Sequence, residues 1–259
     1  MRSVSTGYLS HKPVFWEKEN AQSLVIFIHG FMGGPVQFND LLELAYERGC
    51  SVCAILLPGH GGTGKDFGRY GLADWENHLQ NELDKHKSAY QNIILVGHSM
   101  GGLLALNASL QKQNHIRGVV LIATPLKLNL SPRSLLRKAS LLILPTNHPI
   151  KKTYWQAKGF SGFAISPRWL KPTKDFNNLL RKTTQNLPLI FAPVLAIHSL
   201  YDETVSYKSA DMLYNGLCNT TRKRLTLKKS WHSYYTPKER ELTRAALLEF
   251  IDNTVKGCV

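Results

Sequence analysis

The run Asn92-Ile93-Ile94-Leu95-Val96-Gly97-His98-Ser99-Met100-Gly101-Gly102-Leu103-Leu104-Ala105 decides how this chain folds. Ile93 to Val96 is a short apolar stretch with β-branched residues, which reads as a buried strand. Gly102 to Leu110 is rich in good helix formers. Between them Gly97-His98-Ser99-Met100-Gly101 spells G-x-S-x-G in the strand–turn–helix setting that makes the pattern a nucleophile elbow. The reason is steric. A serine held in so sharp a turn needs small neighbours two before and two after, and its hydroxyl is pushed out above the sheet, over a helix N-terminus.

Strands and helices alternate on both sides of this run. Ser23–Ile28 reads as a strand, Val36–Arg48 as a helix stopped by Gly49, and Val52–Leu57 as a strand ended by the loop signal Pro58-Gly59-His60-Gly61-Gly62. A long helix is expected over Ala73–Tyr90, with Asp74 as its N-cap. A strand follows the elbow helix at Ile116–Ala123. After an irregular stretch the alternation resumes with strand Val194–His198, helix Ser206–Leu217, strand Lys223–Leu227 and a closing helix Pro237–Val255. Gly7–Lys18 is expected to add antiparallel edge strands. The pattern predicts an α/β fold, a mostly parallel sheet with helices on both faces. The core comprises residues 1–123 and 189–259. In residues 124–188, Pro125, Pro132, Pro145, Pro149, Pro167 and Pro172 are expected to break any long element. This block reads as an insertion before the acid-bearing strand, over the carboxyl edge of the sheet, where open α/β sheets bind ligands.

With 259 residues the chain is long enough for a substantial core without covalent staples. No apolar run reaches membrane-spanning length. Met1 to Tyr8 shows no apolar signal region, so a cytoplasmic location is expected. Cys50, Cys53, Cys218 and Cys258 form no disulfide framework, and the strand through Cys53 sets the Cys50/Cys53 pair on opposite faces, as buried apolar residues rather than redox or metal ligands. The net charge of +14 is unevenly spread. Between Leu126 and Ile190 twelve cations face one acid, Asp175, so +11 of the excess lies there.

An acyl-transfer serine needs a histidine base and a carboxylate that orients it. In this architecture the chain order is serine, acid, histidine. Of the ten histidines, six precede Ser99, His115 and His148 precede the late strands, and His198 lies within a strand ahead of the acid. His232 remains, in the loop Lys229-Ser230-Trp231-His232-Ser233 before the last helix. The loop after Val194–His198 offers Asp202, with Glu203 second. Oxyanion donors are expected from the backbone N–H of Met100, next to the nucleophile, and of Phe31, in His29-Gly30-Phe31-Met32-Gly33-Gly34. Gly30 lets the backbone turn that donor inward, so Gly30, Phe31 and Met100 line the substrate carbonyl. His29 is expected to brace the loop.

The motifs His29-Gly30-Phe31, Pro58-Gly59-His60-Gly61 and Gly97 to Gly102, with the Asp202 and His232 loops, stand in the order of the α/β-hydrolase superfamily. The chain resembles its small bacterial carboxylesterases and monoacylglycerol-lipase-like serine hydrolases. The resemblance implies the α/β-hydrolase fold, and a cap formed by residues 124–188 over an apolar acyl pocket. It implies a serine carboxylesterase acting through an acyl-enzyme on esters with an apolar acyl chain, with no metal or organic cofactor. Monoacylglycerol lipase, lysophospholipase or thioesterase chemistry uses the same triad, and a non-catalytic binding protein on the same scaffold is the contrasting reading. Relatives doing epoxide or haloalkane chemistry place aspartate at the elbow.

The basic cap departs from the resemblance. Ser131 to Leu144 has cations at one end and apolar residues at the other. It suits an amphipathic helix touching anionic lipid, a peripheral contact at the inner membrane surface. It suits better a cap helix with its apolar face inward and its cations in water. No nucleic-acid module accompanies the charge.

Overall fold

A computed structural model describes residues 12–145, 148–150 and 167–255. His11, residues 7–11 of the edge segment, Lys151, Lys152 and Lys158 of the basic block, and Cys258 lie outside the described residues. Seven strands form one sheet in the order β1-β3-β2-β4-β5-β6-β7. They are β1 Val14–Trp16, β2 Ser23–Ile28, β3 Ser51–Ile55, β4 Asn92–His98, β5 Ile116–Ile122, β6 Val194–Ser199 and β7 Arg222–Leu227. All neighbours pair in parallel except β1, which runs antiparallel to β3 with Phe15 opposite Cys53. Gly7–Lys18 thus contributes one edge strand among the described residues.

The central strands are buried on both faces, which is why β2 and β4 read as continuous apolar runs. Alternate residues feed two cores. Leu24, Ile26, Ile28 and Cys53 face one layer of helices, and Val25, Phe27, Val52 and Cys50 face the other. The two cysteines are therefore on opposite sides of the sheet. Burial pushes their thiols up to about 11 for Cys50 and about 12 for Cys53.

The helices are α1 Asn39–Glu47, α2 Gly64–Phe67, α3 Leu72–His86, α4 Met100–Ser109, α5 Pro132–Ile143, α6 Leu170–Asn186, α7 Lys208–Gly216 and α8 Pro237–Val255. The helix expected from Val36 begins as a 3-10 turn, Pro35–Phe38, and continues as α1, which Gly49 closes at φ 100°. Asp74 is not the N-cap of α3. Gly71 occupies that place in extended backbone, and Asp74, three residues on, reaches back to accept its N–H at 2.8 Å. That helix stops at His86, where the amides of Ala89 and Tyr90 both turn back to the His86 carbonyl.

The prolines of residues 124–188 do not all act as breakers. Pro132 is the first residue of α5, and Pro172 sits in the first turn of α6, where a missing N–H costs nothing. α6 packs beside α3 and α4. Phe176 and Leu179 join the core there, and Asn107 of α4 donates to Thr183 at 2.6 Å. α5 lies against the loop after β6, at the carboxyl edge of the sheet. Ser134 and Leu141 face the body and are buried, whereas Leu136 and Ile143 are 71% and 84% exposed. The favoured expectation of an inward apolar face therefore holds at Leu141 and not at Leu135, Leu136 or Ile143. Ser134 and the half-buried Arg137 bond the neighbouring loop. Among the described residues no helix is long and apolar enough to cross a membrane.

Candidate active site

Strand order reverses between β2 and β4, so the loops leaving their carboxyl ends diverge to opposite sides and open a crevice. Ser99 stands there between β4 and α4 with φ 52° and ψ −120°, a conformation held by its N–H donating to Ile122 O at 2.8 Å. The elbow glycines are required by contact. A Cβ at Gly101 would run into the Ile28 carbonyl, and one at Gly97 into the backbone of Gly102.

Three predicted residues converge. The Ser99 Oγ lies 3.1 Å from His232 Nε2. His232 Nδ1 lies 2.9 Å from Asp202 Oδ2. The second oxygen, Asp202 Oδ1, accepts the N–H groups of Thr204 and Val205, both at 2.7 Å. All three side chains are buried. Burial alone would raise the Asp202 carboxyl, but the His232 imidazole and those two amides outweigh it and hold it below the usual carboxylate range. Burial likewise opposes charge on His232, but the Asp202 carboxylate, with Glu203 behind it, shifts its pKa upward. The hydrogen bonds fix the roles of the ring nitrogens: Nδ1–H donates to Asp202, leaving Nε2 to accept from Ser99.

The expected oxyanion donors are Phe31, which follows Gly30 in the loop after β2, and Met100, which follows Ser99. Met100 begins α4, so its N–H has no carbonyl one turn earlier to bond. Neither amide has a protein partner among the described residues. Gly30 brings its loop onto the elbow, where a Cβ would stand 3.0 Å from the Ser99 Cβ. The Phe31 ring packs against Phe67, Trp75 and Phe176.

Three histidines set aside as bases hold this framework. His29 Nδ1–H donates to Gly30 O at 2.9 Å, and its Nε2 accepts from Leu57 N–H at 3.0 Å. His60 Nδ1–H donates to Pro58 O at 3.2 Å, and its Nε2 accepts the Met32 N–H at 3.1 Å, which fixes Met32 at φ 60°. His98 Nε2–H donates to the carbonyl of His232 at 2.9 Å, with the two rings 4.9 Å apart. Burial drives His60 down to about 4 and His98 down to about 3, so both are neutral at physiological pH. Glu203, second choice as the acid, is fully buried and accepts the His232 N–H on Oε2 at 3.0 Å. Glu239 ties down the start of the same loop through the amides of Lys228 and Lys229 and the Ser230 hydroxyl. Sequence reasoning missed His60, His98 and Glu239 in these roles. The only signal was the Pro58-Gly59-His60-Gly61 motif, whose histidine had no assigned partner.

Residues 25–237 match the alpha/beta hydrolase family. The chain belongs to that family. It is 22% identical to a carboxylesterase of Bacillus subtilis over 88% of this chain and 92% of that one. It is 26% identical to a thermostable monoacylglycerol lipase of Bacillus sp. strain H-257, over 90% and 91%. Among solved structures, a monoacylglycerol lipase of Paleococcus ferrophilus superposes with a TM-score of 0.74 at 19% identity, covering 95% of this chain and all of that one. A metagenome-derived lipolytic enzyme superposes at 0.76 and 22%, covering 94% and 98%. The likeness to these structures is one of alpha/beta hydrolase fold.

Proposed function

We propose that this protein is a serine carboxylester hydrolase. The supporting observation is the unbroken hydrogen-bond line from Ser99 through His232 to Asp202, with the amides of Phe31 and Met100 left without a protein partner among the described residues. In this reading His232 takes the Ser99 proton as Oγ attacks the ester carbonyl. The negative oxygen of the tetrahedral intermediate settles on the two amides, one such donor being worth roughly 3–4 kcal/mol. Imidazolium then protonates the departing alcohol, and water repeats the sequence on the acyl-enzyme. Asp202 stays ionised throughout and fixes the tautomer. Wild type should hydrolyse p-nitrophenyl esters and be labelled at Ser99 by a fluorophosphonate. Ser99→Ala should lose both, and wild-type turnover by that variant would refute the mechanism.

A lipid ester is the second reading, and one observation favours it. α5 presents Leu135, Leu136 and Ile143 outward, next to the exposed Arg133. An apolar stripe edged by cations suits the surface of an anionic bilayer. In this reading residues 124–188 form a cap over the acyl pocket, and the protein works at the cytoplasmic face of a membrane. A sharp optimum at acetyl or butyryl esters would count against it.

A further inference from the structure

Three consecutive carbonyls of the acid loop are held by side chains from one stretch that follows β5. Arg137 Nη1 donates to Tyr201 O at 3.1 Å, with its guanidinium 3.3 Å from the centre of the Tyr201 ring. Asn129 Nδ2 donates to Asp202 O at 2.9 Å. The buried Ser134 hydroxyl shares its proton between Glu203 O at 2.5 Å and Asn129 O at 2.9 Å. The backbone adds a short antiparallel bridge at Leu128 and Val205, with Asn129 N–H on Thr204 O and Ser206 N–H on Lys127 O. The constraint does not end there. The Glu203 side chain accepts the amide of His232, while His98 donates to its carbonyl, so both main-chain groups of the base are held by side chains.

We propose that Asn129, Ser134 and Glu203 are positioning residues of the reaction: the start of α5 sets the acid loop, and Glu203 passes that setting to the backbone of the base. The proposal rests on the serine-hydrolase reading above. Its physical reason is local. The Asp202 carboxylate is aimed by the amides of Thr204 and Val205, so rotating the peptide units between 202 and 204 re-aims it. Such constellations tolerate about 0.5 Å of displacement, and about 1 Å costs roughly a hundredfold in rate. α5 is therefore part of the apparatus that aligns proton transfer, beyond any part it has in enclosing substrate.

The test uses p-nitrophenyl acetate, whose acyl chain is too short to sense a pocket wall. Asn129→Ala and Ser134→Ala should each lower kcat about tenfold with KM held within about twofold, since each removes a hydrogen bond to a buried carbonyl. Glu203→Gln keeps an acceptor for the His232 amide and should hold kcat within a few fold. It removes one negative charge facing His232, so the acid limb of the kcat/KM profile should move to lower pH. The other groups facing His232 stay as they were: Asp202 from the acid loop, neutral His98 from β4 and Lys138 from α5. Thermal unfolding of each variant separates misfolding from misalignment, and the near-isosteric Glu203→Gln reports even if Ser134→Ala does not fold. Wild-type kcat in both alanine variants overturns the proposal, as does an unmoved acid limb in Glu203→Gln. A change confined to KM and chain-length preference does so too, because it would make α5 a pocket wall only. An inert wild type that no probe labels removes the serine-hydrolase reading and this proposal together. An active wild type with unaltered variants removes this proposal alone.

Discussion

In the proposed mechanism His232 must be neutral to take the Ser99 proton, yet Asp202 and Glu203 both favour its charged form. Its folded pKa lies above the ordinary value of about 6.5. Activity should therefore rise with pH along a limb whose midpoint is above about 6.5, and a kcat/KM profile with its midpoint below that would contradict the coupling. The stability contributions have opposite signs. That of His232 is complete below its unfolded pKa and fades as pH rises through the raised folded value. That of Asp202, whose pKa is depressed, is complete above about 3.9 and is lost as pH falls through the lower folded value. At the elbow, Gly101→Ala would set a methyl against the Ile28 carbonyl, part of the backbone of a central strand. We expect a loss of about 3 kcal/mol or more, measured by urea unfolding. Ser99 was legible from the G-x-S-x-G turn, Asp202, with Glu203 second, from the loop after β6, and His232 from chain order. His60, His98 and Glu203 were not legible in their roles. His98 meets a carbonyl 134 residues away, and no local pattern in the sequence announces such a partner.

At the scale of elements, β2 and β4 were readable because strands buried on both faces leave uninterrupted apolar runs. Within residues 124–188, α5 was readable from the run Ser131 to Leu144, whereas α6 was hidden by Pro167 and Pro172, which resemble breakers until a first helical turn is recognised around them. α5 offers the sharpest test at this scale. Leu136 and Ile143 touch mostly solvent, so replacing both with Glu should shift stability by no more than about 0.5 kcal/mol each. The same double variant should co-sediment less with liposomes rich in phosphatidylserine. Retention by liposomes that is indifferent to anionic lipid content would sink the membrane reading, and a large loss of stability would mean that the apolar face packs inward.

Taken whole, the molecule carries strong positive charge over several neutral buried histidines. His60, His98 and His198 all titrate below the ordinary value because burial opposes their charge. The unfolded chain takes up protons at these sites from about pH 6.5 downward while the folded chain does not. Stability should therefore fall as pH drops from 6.5, continuing toward about 4 for His60 and about 3 for His98. The half-buried His78 and His86 are shifted the same way by burial, and His232 acts in the opposite sense. A melting temperature that stays flat between about pH 7 and pH 5 would contradict this account.

The paired cysteines of β3 and the residue before it have a use of their own. Only a thiolate alkylates at a useful rate, and thiols displaced to about 11 and about 12 are silent at neutral pH until their surroundings open. Cys218 is exposed and reacts at once, so it and Cys258 are best replaced by Ser. A chain keeping Cys50 and Cys53 alone then holds one dormant label in each core. If the two label in step, the sheet and both helix layers part together. If Cys50 labels first, the layer of α1 and α8 peels away while the layer of α4 still holds, and the interval between the two labels times the loss of one half of the molecule before the other.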